Sequence, residues 1–274
     1  MPFAEPQVNP TEAAREIMEI HPTAIVDPKA ELADTVVVHA YSVIGPNVTI
    51  GSGTVVGAHA MIDGWTTIGE DNQIFPFSAV GFAPQDLKYR GGPTRLVIGN
   101  RNIIREYGTI HRGTEGGGGV TRMGDDNLIM AYAHVAHDCV IGSGVIMANA
   151  ATLAGHVHID DHAVVGGLSA VHQFVRIGTH AYIGGMAGIN KDIPPYMLVS
   201  GVPAKLYGPN FIGLKRKGFS DETILGLKRA YKTLFRSGLT LQEALERADQ
   251  ESDHVPEVKI LVDFVRHSER GVTR

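Results

Sequence analysis

The sequence predicts an all-β left-handed parallel β-helix followed by a small α-helical C-terminal domain. An aliphatic residue recurs at every sixth position over most of residues 20–192. Glycine is frequent, with 33 of 274 residues, whereas aromatic residues make up only 7% of the chain. Such a composition favours tight turns that are repeated many times. After Ile189 the period of six ends and helix-capping patterns begin.

The period of six is the main evidence for the β-helix. Aliphatic residues fill every hexad position from Ile20 to Val80, and the register resumes at Ile98 and then runs from Met123 to Ile189. This period fits neither an amphipathic helix nor an alternating strand. It fits short strands joined by turns, in which three hexads close one triangular coil and each aliphatic side chain points inward. Glycine, which often follows the aliphatic residue, is expected to supply the unusual turn angles.

The pattern divides the chain into three segments. Residues 1–19 form an N-terminal extension, residues 20–192 form the β-helix, and residues 193–274 form the α-helical domain. Two stretches, 81–97 and 111–122, interrupt the period and are predicted to be inserted loops. Loops inserted in a solenoid usually lie on one face, which is often the binding face, although neutral insertion is the alternative.

Capping residues predict four helices in the C-terminal domain. They are a short helix within 210–218, a second from the Ser220 cap to about Arg236, a third opened by the Thr240–Glu243 capping box, and a fourth after Pro256. These helices are expected to cover the strand edges of the last coil. The Ile193-Pro194-Pro195 segment ends the coils and is a candidate for a cis peptide bond.

Composition excludes several classes of protein. The net charge is −5, so the chain has no global basic field of the kind that nucleic-acid binders carry. The single cysteine, Cys139, cannot form an intrachain disulfide. No apolar run reaches the length of a membrane span, and the first 19 residues lack the basic and apolar regions of a signal peptide. We therefore expect a cytoplasmic protein with no membrane span.

The coil register predicts a cluster of histidines at one corner. Residues 18 apart occupy the same side of successive coils, so His137, His156 and His172 are expected close to each other. The same register places His137 over Gly155 and Asp138 over His156. His162 and His180 are expected to form a second stack.

Three interpretations of the histidine cluster compete. The side chains could be solvated surface groups, as most histidines are. They could bind a metal, since some β-helix enzymes hold zinc with histidines. One of them could be a general base, because the pKa of an ordinary imidazole near 6.5 allows proton transfer at neutral pH. Asp138 beside His137 suits a base better than a zinc site, and the N–H of Gly155 could hold an oxyanion.

Eight motifs stand out along the chain: QDLKY at 85–89, TIHRGT at 109–114, NLIM at 127–130, HVAHDC at 134–139, AATLAGHV at 150–157, AVHQF at 170–174, PPY at 194–196 and GLKRKGF at 213–219. Together they resemble the UDP-N-acetylglucosamine O-acyltransferase family, which catalyses the first step of lipid A synthesis. The resemblance runs from about residue 20 to the C-terminus. The segment Ser200–Pro203 departs from the family pattern.

The resemblance implies a role for each matching residue. His137 is expected to be the general base, Asp138 its orienting partner and Gly155 the oxyanion donor. The expected contacts to the sugar nucleotide or the acyl-phosphopantetheine come from Gln85, Asp86, Lys88, His111, His134, His156, His172, Gln173, Asn210 and Arg216. Gly185 is expected to set the length of the acyl chain. The family implies neither a metal nor a bound cofactor, and it implies no acyl-enzyme on Cys139.

The resemblance also implies partners. The acyl donor would be a (3R)-3-hydroxyacyl group on the 4′-phosphopantetheine of acyl carrier protein, the acceptor would be UDP-N-acetylglucosamine, and the assembly would be a homotrimer with sites between subunits. The carrier protein is acidic, and residues 211–236 hold seven cations against two acids. We expect Lys215, Arg216 and Lys217 to contact it, although an ordinary solvated helix face is the alternative.

Two other functional classes stay open from the sequence. A coenzyme-A-dependent acetyltransferase with the same repeat would use a small amine or hydroxyl acceptor, and its choice of donor distinguishes it. A scaffold trimer without catalytic activity would have no need for Asp138 beside His137.

Overall fold

The computed structural model describes residues 18–250 and 255–274, and these form a left-handed parallel β-helix with helices at its C-terminal end. The extension predicted for residues 1–19 lies outside the described residues except for its last two. The strands make three sheets, one along each side of a triangular prism. As far as Gly188–Ile189, successive strands of the chain fall on successive sheets, so each sheet takes every third strand. The last two strands of the chain both join one sheet.

We call the sheets 1, 2 and 3 in the order in which the chain first visits them. Sheet 1 contains Glu19–Ile20, Val37–Val38, Val55–Val56, Gln73–Ile74, Ile103–Ile104, Leu128–Ile129, Ile146–Met147, Val164–Val165, Tyr182–Ile183, Met197–Ser200 and Lys205–Pro209. Sheet 2 contains Ile25–Val26, Val43–Ile44, Met61–Ile62, Ala79–Phe82, Thr109–His111, His134–Val135, Thr152–Leu153, Ala170–Val171 and Gly188–Ile189. Sheet 3 contains Glu31–Leu32, Val48–Ile50, Trp65–Ile68, Arg95–Ile98, Val120–Met123, Val140–Ile141, His158–Ile159 and Arg176–Ile177.

The inward aliphatic residues form one continuous core. Val135 pairs with Leu153, and Leu153 pairs with Val171, so the register of 18 residues is confirmed. Val135 and Leu153 are 0% exposed, and their equivalents in the other coils form the same cluster. Because each inward side chain packs on those of the coils above and below, the period of six is the direct cause of the prism.

The corners of the prism use left-handed backbone at residues that are mostly not glycine. Asp138, His156 and Phe174 have φ of 59°, 62° and 64°. The prediction that glycine supplies the turn angles was therefore wrong at these corners. Gly51 shows what glycine does instead, since a Cβ there would lie 2.7 Å from the backbone of Gly69 in the next coil. Glycine permits close stacking of coils rather than the turn itself.

Three corners run along the prism, and we name each by one of its residues. The His137 corner joins sheet 2 to sheet 3, and the His180 corner joins sheet 3 to sheet 1. The ring corner joins sheet 1 to sheet 2 and carries five stacked, exposed rings with centroids 4.8–5.1 Å apart: Tyr41, His59, Phe77, Tyr107 and Tyr132.

The C-terminal part begins with two strands before its helices. Met197–Ser200 continues sheet 1 in parallel, and Lys205–Pro209 returns antiparallel to it. The prediction that residues 193–274 are entirely helical was therefore wrong at their start. The hairpin forms there because it closes the open end of sheet 1 and satisfies the backbone groups of its last strand. The cis peptide bond is at Val202–Pro203, and within the described residues Ile193-Pro194-Pro195 has none.

The four predicted helices are confirmed: α1 is Phe211–Arg216, α2 is Asp221–Arg236, α3 is Leu241–Gln250 and α4 is Pro256–Arg266. Ser220 caps α2 by accepting a hydrogen bond from the Thr223 N–H at 3.1 Å. The Arg176 guanidinium lies 4.9 Å from the ring centroid of Phe264 in α4, so the helices do cover the last coil. None of the described helices is long and apolar enough to cross a membrane.

Candidate active site

Both insertions leave the β-helix at the His137 corner. The first lies between strands Ala79–Phe82 and Arg95–Ile98, and the second lies between Thr109–His111 and Val120–Met123. Both loops are shorter than predicted, since the flanking strands extend into the stretches 81–97 and 111–122. The Gly92 N–H donates to Glu115 Oε1 at 2.7 Å, which joins the two loops. The two loops therefore cover one corner together.

His137 and Asp138 form a hydrogen-bonded pair under these loops. His137 Nδ1 lies 2.8 Å from Asp138 Oδ2. The Asp138 side chain is 0% exposed, and that of His137 is 14% exposed. Because a carboxylate only accepts hydrogen bonds, Nδ1 carries the proton and the lone pair of Nε2 is free. This is the arrangement of a general base with an orienting carboxylate.

The second insertion fixes the Asp138 carboxylate. The Thr114 N–H donates to Oδ1 at 3.0 Å, and the Thr114 hydroxyl donates to Oδ2 at 2.6 Å. Gly117 packs so closely on the carboxylate that a Cβ there would lie 2.1 Å from Oδ2. The Asp138 N–H donates to Thr121 Oγ1 at 2.8 Å. Sequence reasoning missed these supports, because Thr114 is 24 residues from Asp138.

Gly155 makes room for the His137 ring. A Cβ at position 155 would lie 2.5 Å from Cε1 and 2.8 Å from Nε2 of His137. The predicted stacking of His137 over Gly155 is therefore confirmed. Within the described residues, the Gly155 N–H donates no hydrogen bond, so a backbone donor is free beside the imidazole.

His156 is the next neighbour of this pair. Its Nε2 lies 3.8 Å from Asp138 Oδ2, and its ring meets that of His137 edge-on at 5.2 Å. Burial is the main cause that lowers the pKa of His156, and the negative charges of Asp138 and the loop residue Asp86 partly offset this shift. On the other side His156 stacks on Phe174 at 4.4 Å. The sequence predicted His172 beside His156. Phe174 lies there instead, because it occupies the same turn position as His156 in the next coil.

His111 and His134 extend the cluster along sheet 2. Their rings meet edge-on at 4.9 Å, and His134 Nδ1 is 2.7 Å from the Thr109 hydroxyl. Burial is the main cause that lowers the pKa of His111 to about 4, and it also lowers the pKa of His134. His111 Nδ1 is buried without a hydrogen-bond partner in the described chain. Both rings are thus neutral at physiological pH.

The first insertion presents its expected binding residues at the same corner. Gln85 and Lys88 are exposed, and Asp86 is half-buried with its carboxylate accepting from the Lys88 N–H at 2.9 Å. The field of Asp86 acts on His156, as described above, so this loop stands close to the histidine cluster. Lys88 is an exposed cation at this corner and is suited to an anionic ligand.

His172 and Gln173 are exposed one coil beyond Gly155. His172 makes no ring contact with His137 or His156 among the described residues. Its Nδ1 instead lies 2.9 Å from the guanidinium of Arg270 in the C-terminal segment. The prediction of a cluster of three histidines was therefore wrong for His172. His137 and His156 are in contact, and His172 lies beside them in the next coil.

Asn210 and Arg216 lie at the His180 corner. Asn210 Oδ1 accepts from the Gly213 N–H at 3.2 Å and so caps α1, and its Nδ2 lies 3.4 Å from the His180 carbonyl oxygen. Arg216 is exposed at the end of the same helix, beside Lys215 and Lys217, which are exposed as well. Within one chain these residues are therefore on a different corner from His137.

The second histidine stack is confirmed at the His180 corner. His162 and His180 have ring centroids 4.8 Å apart. Burial is the main cause that lowers the pKa of His180 to about 4. The ring of Phe219 closes over His180 at 4.9 Å.

Gly185 lies on the ring corner and is exposed. A Cβ there would meet only the Gly167 backbone, at 3.3 Å from its carbonyl oxygen. A larger side chain at position 185 would therefore project into open space outside the prism.

Cys139 faces the core. It is 0% exposed, and burial raises the pKa of its thiol to about 12. Burial therefore disfavours the thiolate that a covalent acyl-enzyme would need.

Three groups are close enough to consider a metal ion. One ligand atom each from His137, Asp138 and His156 lies within 4.8 Å of the others. The fit is poor, because Asp138 Oδ2 already accepts hydrogen bonds from His137 Nδ1 and the Thr114 hydroxyl. A zinc ion bound here would have to break this hydrogen-bonded pair.

Comparison with known proteins places this chain among similar sequences. The family described as "Udp N-acetylglucosamine O-acyltransferase; Domain 2" matches residues 192–273, and the bacterial transferase hexapeptide repeat matches residues 19–64 and 121–155. Proteins named acyl-(acyl-carrier-protein)–UDP-N-acetylglucosamine O-acyltransferase are similar along almost their whole length. The one from Thermodesulfovibrio yellowstonii is 55% identical, and the one from Burkholderia vietnamiensis is 56% identical. Each alignment covers 93% of this chain and 99% of the relative.

Solved structures give the same result. The UDP-N-acetylglucosamine acyltransferase of Francisella novicida is 42% identical with a TM-score of 0.90, over 93% of this chain and 94% of that one. The UDP-N-acetylglucosamine O-acyltransferase of Moraxella catarrhalis is 45% identical with a TM-score of 0.90, over 93% and 99% of the two chains. With this identity and coverage, the chain belongs to the family of UDP-N-acetylglucosamine O-acyltransferases.

Proposed function

We propose that this enzyme transfers a (3R)-3-hydroxyacyl group from acyl carrier protein to the 3-hydroxyl of UDP-N-acetylglucosamine, the first step of lipid A synthesis. The observation that carries the proposal is the buried His137–Asp138 pair beside the free N–H of Gly155. Acyl transfer to a hydroxyl needs a base at the nucleophile and a donor at the oxyanion, and this corner offers both.

The proposed reaction assigns a step to each group of the site. His137 Nε2 takes the proton of the sugar hydroxyl as its oxygen attacks the thioester carbonyl. Asp138, held by Thr114, keeps the proton on Nδ1 and stabilises the imidazolium that forms. The Gly155 N–H stabilises the tetrahedral oxyanion. When the intermediate collapses, the C–S bond breaks, and the phosphopantetheine thiolate leaves and takes the proton from the His137 imidazolium. No acyl-enzyme is needed.

The outer faces of the prism support a trimer. In each two-residue strand the residue before the inward aliphatic points outward. Sheet 1 presents Val55, Gln73, Ile103, Leu128, Ile146, Val164 and Tyr182, and sheet 2 presents Ile25, Val43, Met61, Ala79, Thr109, His134, Thr152, Ala170 and Gly188. Sheet 3 presents mostly charged and polar groups: Glu31, Thr49, Thr67, Val97, Arg122, Val140, His158 and Arg176.

We propose that sheet 1 of one subunit packs on sheet 2 of the next, around an axis at the ring corner. Four of the ring-corner side chains are 44–62% exposed in the single chain, namely Tyr41, Phe77, Tyr107 and Tyr132, and contiguous exposed apolar surface marks an interface. This packing leaves charged sheet 3 in water. It also brings the His137 corner of one subunit to the His180 corner of its neighbour, where Asn210 and Arg216 lie. Those two residues then complete the binding site for the sugar nucleotide.

The donor-binding surface is the part of the chain that carries the seven cations. Lys215, Arg216 and Lys217 end α1, and α2 adds further exposed cations, namely Lys228, Arg229, Lys232 and Arg236. Only Lys215 has an acidic neighbour at ion-pair distance in this group, Asp221 at 3.4 Å, among the described residues. Such a surface attracts an acidic carrier protein and orients it before docking.

Gly185 is proposed to determine how long an acyl chain the enzyme accepts. The position is exposed on the ring corner and would project a side chain outward, into the proposed contact between subunits. We expect Gly185→Met to shorten the preferred chain by several carbons without changing the turnover of the shorter donor. Competition between 3-hydroxyacyl donors of different length measures this, and an unchanged preference would show that another residue ends the tail.

Three further expectations stay predictions. We propose that the reaction needs no metal ion, so that a strong chelator leaves the rate unchanged. No bound cofactor takes part beyond the phosphopantetheine of the donor. The cytoplasm is the expected location.

Product analysis by mass spectrometry tests the proposed function. The purified enzyme receives UDP-N-acetylglucosamine with a set of 3-hydroxyacyl carrier-protein donors, and a parallel reaction receives acetyl coenzyme A. The expected result is a 3-O-acylated sugar nucleotide only with carrier-protein donors, and its loss in His137→Ala. Turnover of acetyl coenzyme A alone would instead make this chain an acetyltransferase.

A further inference from the structure

We propose that Arg270 is a positioning residue that holds His172 in the tautomer with its proton on Nε2. His172 then offers one N–H to an acceptor oxygen of a bound substrate. The inference rests on the proposed function, because it explains how an expected binding residue is oriented. It concerns a C-terminal residue that lies 98 positions from His172.

Arg270 bridges two points of the last coils. Its Nη2 lies 2.9 Å from His172 Nδ1, and its Nε donates to the Asn190 carbonyl oxygen at 3.0 Å. The Asn190 carbonyl follows the strand Gly188–Ile189, and His172 follows the strand Ala170–Val171 beside it. The rigid guanidinium therefore spans two neighbouring coils with two different nitrogen atoms.

The contact decides where the His172 proton is. Nδ1 has two neighbours, Arg270 Nη2 at 2.9 Å and the Gln173 carbonyl oxygen at 3.2 Å. A guanidinium only donates, so Nδ1 must offer its lone pair to the shorter contact. A proton on Nδ1 would point at the carbonyl and leave two positively polarised groups 2.9 Å apart. The proton is therefore on Nε2, and the Gln173 contact is not a hydrogen bond.

The C-terminal segment holds Arg270 in place from both sides. Before it, the Ser268 hydroxyl donates to Asp192 Oδ2 at 2.7 Å. After it, the Asp192 N–H donates to the Gly271 carbonyl at 3.0 Å, and the Thr273 N–H donates to the Asp192 carbonyl at 2.8 Å. Asp192 and Thr273 are 1% and 4% exposed. The guanidinium is thus carried by an anchored segment rather than by a loose tail.

The position of His172 makes this orientation useful. Phe174, two residues later, donates its N–H to the Gly155 carbonyl at 3.2 Å, so His172 belongs to the coil directly beside the proposed oxyanion donor. A fixed Nε2–H there can bind an acceptor oxygen, either a phosphate or carbonyl of the sugar nucleotide or an amide carbonyl of the donor's pantetheine arm. The Michaelis constants for the two substrates distinguish these sources.

A double-mutant cycle tests the inference. Arg270→Ala, His172→Ala and the double variant are assayed for kcat and for both Michaelis constants, and their unfolding midpoints are recorded. We expect each single variant to raise one Michaelis constant by about 3- to 10-fold, as expected for a lost hydrogen bond, and the double variant to be no worse than His172→Ala. If the increases in the Michaelis constant of the two single variants multiply in the double variant, Arg270 acts independently of His172, and the inference is overturned.

A second pair of variants tests the tautomer. The amide nitrogen of glutamine can replace Nε2–H, whereas that of asparagine reaches only to Nδ1. We expect His172→Gln to stay within about 3-fold of the natural enzyme and His172→Asn to resemble His172→Ala. The opposite order would place the working atom at Nδ1 and overturn the inference.

Controls separate this inference from the proposed function and from folding. Arg266→Ala removes a nearby arginine that pairs with Asp263 and Asp249 and not with His172, and it is expected to leave both Michaelis constants unchanged. If His172→Ala has no effect, His172 is not a binding residue and the proposed site is at fault. A third outcome is that His172→Ala impairs binding, whereas Arg270→Ala keeps the unfolding midpoint of the natural enzyme and binds normally. In that case only the positioning role of Arg270 is wrong.

Discussion

The His137 and His180 corners have the same backbone and different chemistry. Each holds two histidine rings from adjacent coils, with centroids 5.2 Å apart at the first corner and 4.8 Å apart at the second. Left-handed turn residues occur at both, as His156 and His180 show with φ of 62° and 54°. The repeated coil therefore supplies equivalent positions at every corner.

What covers each corner makes the difference. At the His137 corner an inserted loop brings Thr114 to a buried carboxylate, and that carboxylate orients His137. At the His180 corner the Asp161 carboxylate accepts from the Ser143 N–H at 2.7 Å, and aromatic Phe219 closes over the ring. A histidine stack alone therefore does not orient an imidazole, whereas at the His137 corner a fixed carboxylate holds Nδ1.

The largest expected difference between the corners is in catalysis. We expect His137→Ala to lower kcat by about 10³-fold, because the general base is lost, and His180→Ala to lower it by less than about 10-fold. Steady-state assays with one carrier-protein donor measure both. Equal losses would mean that the two corners contribute alike and that His137 has no special role.

The carboxylates sharpen the comparison. Asp138→Asn keeps the shape of the side chain but no longer favours a proton on Nδ1, so we expect kcat to fall by about 100-fold with little change in either Michaelis constant. Asp161→Asn is the matched change at the other corner, and kcat should stay within about 2-fold. A normal kcat for Asp138→Asn would show that the pair is only structural.

The His180 corner is expected to serve binding of the carrier protein. Reversing two exposed cations, Lys217→Glu with Lys232→Glu, should raise the Michaelis constant for the carrier-protein donor about 10-fold at low salt and leave that for the sugar nucleotide unchanged. Lys259→Glu on α4 makes the same kind of charge change outside the patch and serves as the control. A Michaelis constant that does not respond would remove the proposed docking surface.

In acid the two corners should behave alike. Burial lowers the pKa of His111, on the strand that leads into the His137 corner, and of His180 to about 4 in each case. The unfolded chain binds these protons more readily, near pH 6.5, so stability is present above that pH and is lost as the pH falls toward 4. Replacing either residue by Gln should reduce the loss between pH 7 and pH 5 by about 1 kcal/mol, after allowance for solvent screening. Denaturant unfolding at the two pH values measures this, and an unchanged pH dependence would contradict it.

The sequence predicted the scaffold far better than the site. The strict period of six and the 18-residue register predicted that His137 lies over Gly155 and that His162 lies beside His180. Both predictions are confirmed. The strand Lys205–Pro209 was missed, because it completes a sheet rather than a hexad. Phe174 was missed beside His156, because a turn position carries no hydropathy signal.

The supports of the site come from residues that are distant in sequence. Thr114 reaches Asp138 from an inserted loop, and Arg270 reaches His172 from the C-terminal segment. No periodicity relates these pairs, so only folding shows them together.

The sequence by itself determined the coil, the helical caps and the position of His137, because these depend on regular spacing and on residues near each other in the chain. The tertiary structure alone decided which corner holds a hydrogen-bonded histidine–carboxylate pair. That outcome depends on the loop that excludes water from Asp138 and donates to both of its oxygen atoms, whereas the two stacked histidines of the His180 corner form no such pair among the described residues.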